Sequence, residues 1–496
     1  MDYVLGIDIG TGSVKAVAVN LQGQSIEVFQ QHYSFNVPQP GYHEQNPEEI
    51  WQAFISCFKG VLAKIGQQPI AVALSSAMHS LISVNENGEA LAPMLTWADN
   101  RSSEIAKELR ASAEGLAIYA ETGTPLHAMS PLCKLMWMKT HNEVLFNKTH
   151  KFISIKEYVW YKLFKEFVVD HSIASCTGLF NIITLEWHAN ALALADINTD
   201  KLSKPVPVEY TNTYRADGDP ALDFLRTGLQ VTIGANDGCS ANLGSMAYKP
   251  GIAALTIGTS GALRIASHKP LPNKKAMTFS YILDKDTFIC GGPINNGGIA
   301  LQWWLKNNAH GGLKEAGYNS FFEKIAEIDA GSNGLVFLPY LTGERAPIWD
   351  SESCGVFFGI KLQHDQAHFS RAVVEGVCYA MKDVLEAVQQ NSEPIQQIIL
   401  SGGFTKSKVW VQILADVTGK SLVIVQTEDA SAVGAAFISM KSIGLTTDYP
   451  EVNLDGLEII EPNFNNTEVY SRNFHLYKQL YLDLKATMHN FSSLNS

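Results

Sequence analysis

The stretch GIDIGTGSVK, residues 6–15, decides how the chain begins to fold. An apolar run reaches Asp8, turns through glycines and continues into AVAVN. Glycine loops after strands often hold phosphate, but two common forms are excluded. A P-loop needs four residues between its first Gly and a Gly-Lys-Ser/Thr, whereas Lys15 follows Val14 and precedes Ala16. A dinucleotide fingerprint needs a third Gly or Ala where Lys15 stands, and then a helix. The Val-rich VKAVAVN, the turn LQGQ and SIEVFQQHYSF read instead as strand, turn, strand. The loop is therefore expected to be a hairpin turn, with Gly10 and Gly12 supplying unusual φ values. Its N–H groups can converge into an anion-binding nest. An ordinary hairpin with a solvated Asp8 is the other reading this stretch leaves open.

The rest of the chain narrows the choice. Its 496 residues predict two or three domains, each with a full core. Charged residues make up 17% and hydrophobic ones 46%, a soluble globular balance. A net charge of −12 without a basic cluster argues against nucleic acid or an anionic membrane as partner, while leaving small anionic ligands open. Seven scattered cysteines form no C-x-x-C pair, so no zinc site is expected and a reducing, cytoplasmic setting is. The chain enters a strand at once, leaving no room for a signal peptide, and no apolar run approaches the ~18 residues of a membrane span.

A repeat carries the hairpin further. Residues 252–265, IAALTIGTSGALRI, follow the same scheme of strand, Ile-Gly-Thr, two small residues, strand. The two threonines, Thr11 and Thr259, begin matching halves, which suggests two similarly built domains gripping one polyphosphate. After the first three strands comes NPEEIWQAFISCFKGVLAKI, with Asn46 as N-cap, Pro47 at N1, Glu49 closing a capping box, and an apolar stripe Ile50, Phe54, Phe58, Val61, Ile65. IAVALSS then reads as a buried strand. In the second half, FSRAVVEGVCYAMKDVLEAV, KSKVWVQILADVTG and SAVGAAFISMKSIG read as helices, and PIQQIILSGG and SLVIV as strands. The class is α/β, with two ribonuclease H-like domains of the actin and sugar kinase type flanking a cleft. Expected boundaries are 1–245, 246–450, and a tail 451–496 in which HLYKQLYLDLKATMHNF forms a helix packed on the body.

Over roughly residues 3–445 the chain resembles the FGGY carbohydrate kinases. MSPLCKLMWMKTH (129–141) and GVFFGIKLQHDQAHFSRAVVEG (355–376) fit that family's two long signatures. GIDIGTGSVK, GTSG, PYLTGERAP (339–347) and SGGFTKSKVW (401–410) stand where such a kinase has them. SSAMHSLI (75–82), TWADNRS (96–102), TGTPLHAMSPL (122–132), IKEY (155–158) and GPINNGG (292–298) are similar to the members that phosphorylate D-gluconate. The chain has Ala77-Met78-His79-Ser80 where others commonly have Gln-Met-His-Gly, a departure that argues against a plain xylulose kinase.

The resemblance implies an ATP- and Mg²⁺-dependent kinase with a small sugar or sugar acid as acceptor, in which D-gluconate is the expected substrate and a homodimer a weaker implication. Asp237, delivered by an apolar strand to an Asn-Asp-Gly turn, would take the proton of the attacking hydroxyl. Asp8, a second carboxylate beside phosphate, implies that it and Asp237 hold Mg²⁺ through water. Thr11, Gly12, Ser13 and Lys15 would contact the phosphates from one side, and Gly258, Thr259, Ser260 and Gly261 from the other. Met78, His79, Trp97, Asp99 and Arg101 would build the sugar pocket. The W-x-D-x-R spacing turns Trp97, Asp99 and Arg101 the same way if the segment is extended. His79, His127 and Lys156 are the candidate partners of a substrate carboxylate, Lys156 the best cation among them. Asn295, Asn296, Gly402, Gly403, Phe404 and Ser407 would face the nucleotide, with Gly434 and Ala435 nearby. The rival readings are another FGGY substrate such as xylulose, a sensor that has lost catalysis, and an actin- or chaperone-like ATPase.

Overall fold

The computed structural model describes residues 2–216, 219–308, 315–425, 429–451 and 456–494. Its first half opens with β1 (Tyr3–Ile9), β2 (Ser13–Asn20) and β3 (Ser25–His32), an antiparallel meander. Helix α1 (Pro47–Ile65) follows. Asn46 caps it by accepting the Glu48 N–H, Pro47 stands in the first turn, and Ile50, Phe54, Phe58 and Val61 are buried. Glu49 does not complete the expected capping box; its carboxylate accepts instead from the Ser34 hydroxyl. Then come β4 (Ala71–Ser76), α2 (Pro131–His141), α3 (Ile155–Phe164), β5 (Thr211–Thr213), β6 (Gln230–Thr232) and α4 (Asp237–Gly244). The sheet order is β5-β6-β4-β1-β2-β3, with β4 parallel to both β1 and β6.

The second half repeats the plan. It runs through β7 (Ile252–Ile257), β8 (Gly261–Ser267), β9 (Phe279–Asp284), β10 (Thr287–Ile294), α5 (Gly298–Asn308), α6 (Gln366–Gln389), β11 (Gln397–Ser401), α7 (Lys408–Thr418), β12 (Ser421–Ile424), α8 (Ala430–Ser442), β13 (Ile459–Ile460) and α9 (Thr467–Leu494). The order β9-β10-β8-β7-β11-β12-β13 contains β12-β11-β7-β8-β10, the counterpart of β6-β4-β1-β2-β3. The likeness reaches single side chains. Asp8 pairs in register with Ser75, whose hydroxyl donates to it at 3.0 Å; Thr256 pairs with Ser401, hydroxyl to hydroxyl at 2.8 Å. The repeated Ile-Gly-Thr is thus a duplicated structural unit.

Strands β1 and β4 are apolar on both faces because both faces are covered. Helix α1 lies along β2 and β3, while α8, from the second half, lies across β1 and β4. Helices α4 and α8 cross at backbone distance. A Cβ on Gly434 would stand 1.9 Å from Ser240 O, one on Gly244 2.0 Å from Ala430 O, and one on Gly6 1.9 Å from Ala432 O. Glycine is required at these points by close approach. The terminal helix α9 docks as expected: Tyr481 donates to Asp350 Oδ2 at 2.8 Å and Tyr340 to the Tyr477 hydroxyl at 2.7 Å. No helix among the described residues is long and apolar enough to cross a membrane.

Candidate active site

Strands β1, β7 and β11 and the start of α4 all point their ends into one cleft of about 1370 Å³, lined by Asp8, Lys15, Asp237, Arg264, Gly402, Gly403 and Asp429 among others. Parallel strand ends and a helix start meeting at one crevice is where open α/β sheets hold their ligands. Asp237 is the first residue of α4, after the N-cap Asn236, whose side chain accepts the Cys239 N–H at 2.8 Å. Its Oδ1 accepts the Gly238 N–H at 2.8 Å. Burial raises the Asp237 carboxyl, with the charge of Arg264 acting the other way. Asp8 is pushed up to about 7, first by burial and then by the charge of Asp237. Two carboxylates on one cleft floor, the second raising the first, fit a divalent cation held between them or through water.

Several predicted residues do other work in this structure. Neither Gly10 nor Gly12 has a left-handed φ; a side chain on Gly12 would meet nothing within 4 Å, so its smallness leaves open space at the hairpin tip. Lys15 forms an ion pair with Asp429 at 2.8 Å across the cleft wall. Ser13 Oγ accepts from the Gln30 amide at 2.8 Å, and Thr11 Oγ1 accepts the Trp97 indole N–H at 2.9 Å. In the second hairpin the Gly258 N–H is taken by Ser260 O and Thr259 O accepts the N–H groups of Gly297 and Ile299, while Gly261 is the first residue of β8.

The W-x-D-x-R segment is a turn, closed by the Asp99 N–H on Thr96 O, so Trp97 parts from Asp99 and Arg101. Trp97 faces Thr11 and lies 5.4 Å from the Arg345 guanidinium. Asp99 is fully buried and accepts from His43 N–H and Arg101. Arg101 also reaches Glu44 at 2.6 Å and stacks on Tyr42. Asp99 and Arg101 are therefore satisfied by the protein.

His79, buried and at φ 65°, has Nδ1 2.7 Å from Cys176 O and Nε2 3.2 Å from the Tyr281 hydroxyl. Burial, reinforced by Lys134, lowers it to about 3, so Nδ1 donates and Nε2 accepts in a neutral ring. Burial, with Arg345 and Arg110, holds His127 well below its ordinary value. Lys156 is 1% exposed, paired with Asp170 at 2.7 Å, and donates to Gly234 O. None of these three offers a free positive charge to a carboxylate. Met78 sits against Gly238: a Cβ there would stand 3.0 Å from Met78 Cε and 3.2 Å from Arg264 Nε.

On the nucleotide side, Gly402 (φ 106°) and Gly403 line the cleft. Phe404 is core, edge-on to Trp410, and Ser407 caps α7 through the Trp410 N–H. Gly434 and Ala435 are buried, and Gly434 serves the helix crossing. Asn296 braces the 342–344 loop, donating to Gly343 O at 2.7 Å and Glu344 Oε2 at 3.1 Å; Asn295 Oδ1 accepts from Arg345 Nε at 2.7 Å.

Residues missed from the sequence complete the picture. Lys134 on α2 donates to His79 O at 2.6 Å and Thr96 O at 2.7 Å, tying together the loops that carry His79 and Trp97. Arg264 stands in β8 and Arg345 in the GERAP turn. The one available signal was a lone arginine in the apolar run GALRIAS.

A duplicated α/β chain with a carboxylate-floored cleft between its halves has the actin and sugar kinase fold. The chain belongs to the FGGY family of carbohydrate kinases, matching the model of its N-terminal domain over residues 3–244 and of its C-terminal domain over 253–443. It is 36% identical to a gluconokinase of Bacillus licheniformis across 98% of this chain and 96% of that one. A xylulose kinase structure from Lactobacillus acidophilus superposes with a TM-score of 0.93 at 29% identity, covering 99% of this chain and 100% of that one. A gluconate kinase structure from the same organism gives 0.92 at 29%, covering 99% of both. The protein is a sugar kinase; membership of the family implies ATP as phosphoryl donor and a sugar-type acceptor.

Proposed function

We propose that the protein transfers the γ-phosphoryl group of ATP to the 6-hydroxyl of D-gluconate. The observation that carries this reading is the 36% identity to a gluconokinase over nearly the whole chain, against 28% to a xylulose kinase of Staphylococcus xylosus over 97% of it. Shape alone does not separate the two sugars, since the xylulose and gluconate kinase structures superpose equally well.

Phosphoryl transfer needs positioning, a base for the hydroxyl and neutralised phosphate charge. Asp237 is the base: it faces the cleft at the start of α4, and its raised pKa suits proton acceptance. The hairpin tips at Thr11–Ser13 and Gly258–Ser260 face the phosphates, and Gly402 and Gly403 leave room for the adenosine. Asp8 and Asp237 would hold Mg²⁺, which supplies charge neutralisation for the β- and γ-phosphates when bound. Trp97 forms an apolar wall for the acceptor, and Met78 packs beside the base.

The test is ADP release with Mg-ATP over D-gluconate, D-xylulose, L-ribulose, glycerol and no sugar. Preference for D-gluconate is expected; preference for D-xylulose replaces the substrate, and sugar-independent release removes the acceptor reading. In the same assay Asp237→Asn is expected to turn over at least ~10²-fold more slowly, with both ligands still bound. Near-normal turnover would take the base role from Asp237.

A further inference from the structure

Gluconate differs from the neutral sugars by a carboxylate, so a site for it needs a buried, available cation. Arg101 and Lys156 are already paired, and both histidines are neutral. Lys134 is spent on the His79 and Thr96 carbonyls and Arg110 donates to Leu126 O, which leaves Arg264 and Arg345 as the candidates. Arg264 projects from β8 beside Asp237, whose charge favours it, and among the described residues its guanidinium has no hydrogen bond and no carboxylate within 4 Å. Arg345 is 9% exposed and uses Nε on Asn295 and Nη2 on Ile294 O at 3.1 Å. It likewise has no ion-pair partner within 4 Å, because its neighbour Glu344 is committed to the N–H groups of Asn295 and Arg345 and to the Asn296 amide. Burial disfavours the charge of Arg345, Glu344 favours it, and Arg264 lies close enough to disfavour it as well. Each guanidinium feels a neighbouring carboxyl without a direct ion pair, Arg264 that of Asp237 and Arg345 that of Glu344, so a ligand carboxylate in contact would add the pair that neither has.

We propose that Arg264 and Arg345 together recognise the carboxylate of a sugar-acid substrate, one from the sheet and one from the GERAP turn. Resting on the gluconate reading, this names the part of the pocket that selects an acid. Arg345 lies over Trp97 and beside His79 and His127, on the acceptor side of the cleft. A guanidinium can meet a carboxylate through two parallel N–H donors, and a pair of them approaching from separate elements fixes its orientation. Asn295 is the positioning residue that aims Arg345, and Gly238 leaves the space in which Arg264 and Met78 fit.

The experiment measures KM and kcat of the full chain for D-gluconate and ATP, and calorimetric binding of D-gluconate, D-gluconamide and D-glucitol. Wild type is expected to bind gluconate at least about tenfold more tightly than the uncharged amide, on the scale of a charge-assisted hydrogen bond. Arg264→Gln and Arg345→Gln should each raise the gluconate KM about 10- to 100-fold, with the ATP KM unchanged and glucitol binding unaffected. Arg264→Lys keeps the charge and should lose less. Equal wild-type binding of gluconate and its amide overturns the proposal even if no variant folds. So does a variant that weakens ATP or slows kcat while sparing the gluconate KM, which would assign the arginines to phosphate. If wild type uses D-xylulose and no sugar acid, the gluconate reading fails and the pair falls with it; if it uses gluconate and the variants keep its KM, only the pair falls.

Discussion

Asp8 is the residue whose surroundings most constrain its chemistry. Burial and the nearby Asp237 raise it to about 7, against a hydrogen bond from Ser75 and the charge of Lys15. In the ligand-free protein the folded state therefore holds a proton between about pH 4 and 7 that the unfolded chain has released. Stability falls as pH rises through that window and levels off above it. Asp8→Asn keeps an acceptor for Ser75 and has no such proton to lose. It should melt roughly 2–5 °C higher than wild type at pH 8, with the gap closing near pH 4. Parallel melting curves from pH 4.5 to 8 would refute the raised carboxyl. Asp8 and Asp237 were legible in the string because each ends an apolar strand run at a glycine turn. Arg264 and Arg345 were not, since their meaning lies in the absence of a partner carboxylate, which only the folded structure displays. Trp97, Asp99 and Arg101 show the opposite error: an i, i+2 spacing implies a shared face only in extended chain, and at the Thr96–Asp99 turn Trp97 goes to Thr11 while Asp99 and Arg101 pair with one another.

At the scale of elements, the hairpin and its repeat could be read directly. Val-rich alternation and a short glycine turn specify antiparallel pairing locally, and the same five positions recur at the head of the second half. The crossing of α8 over the first sheet could not, because Gly6, Gly244 and Gly434 are far apart in sequence and each is unremarkable alone. Their shared purpose is backbone contact between α4, which begins at Asp237, and α8. Gly434→Ala tests that contact. In a free helix the change would stabilise by about 1 kcal/mol. Here the new methyl meets the carbonyl of Ser240 at 1.9 Å, and a backbone carbonyl on a packed helix cannot swing aside. Overpacking of about 1–3 kcal/mol should outweigh the propensity gain, lowering the urea midpoint. The displaced α4 should also lower kcat more than it raises the ATP KM. A variant at least as stable as wild type would show that the helices can separate without loss.

At the scale of the molecule, the proposed acceptor site is divided between the halves: Trp97, His79 and Asp237 come from the first, Arg264, Tyr281 and Arg345 from the second. The halves are also tied outside the cleft, where the Tyr119 hydroxyl donates to Thr278 O at 2.6 Å and accepts the Asn273 N–H at 2.9 Å. On the proposed reading, a sugar that touches both walls would stabilise the arrangement in which both hairpins reach the phosphates. Water admitted to that space would receive the phosphoryl group instead of the acceptor, so closure on the sugar guards the reaction. Binding of sugar and nucleotide should consequently be coupled, and by linkage the coupling is the same in both directions. Calorimetric titration of a non-hydrolysable ATP analogue is expected to give an affinity about 5- to 150-fold higher with saturating gluconate than without it. Gluconate should gain by the same factor when the analogue is bound. Arg345→Gln, which removes a second-half contact, should shrink both gains together. Independent binding would mean that the cleft is already in its working form and that the hairpins need no sugar to meet.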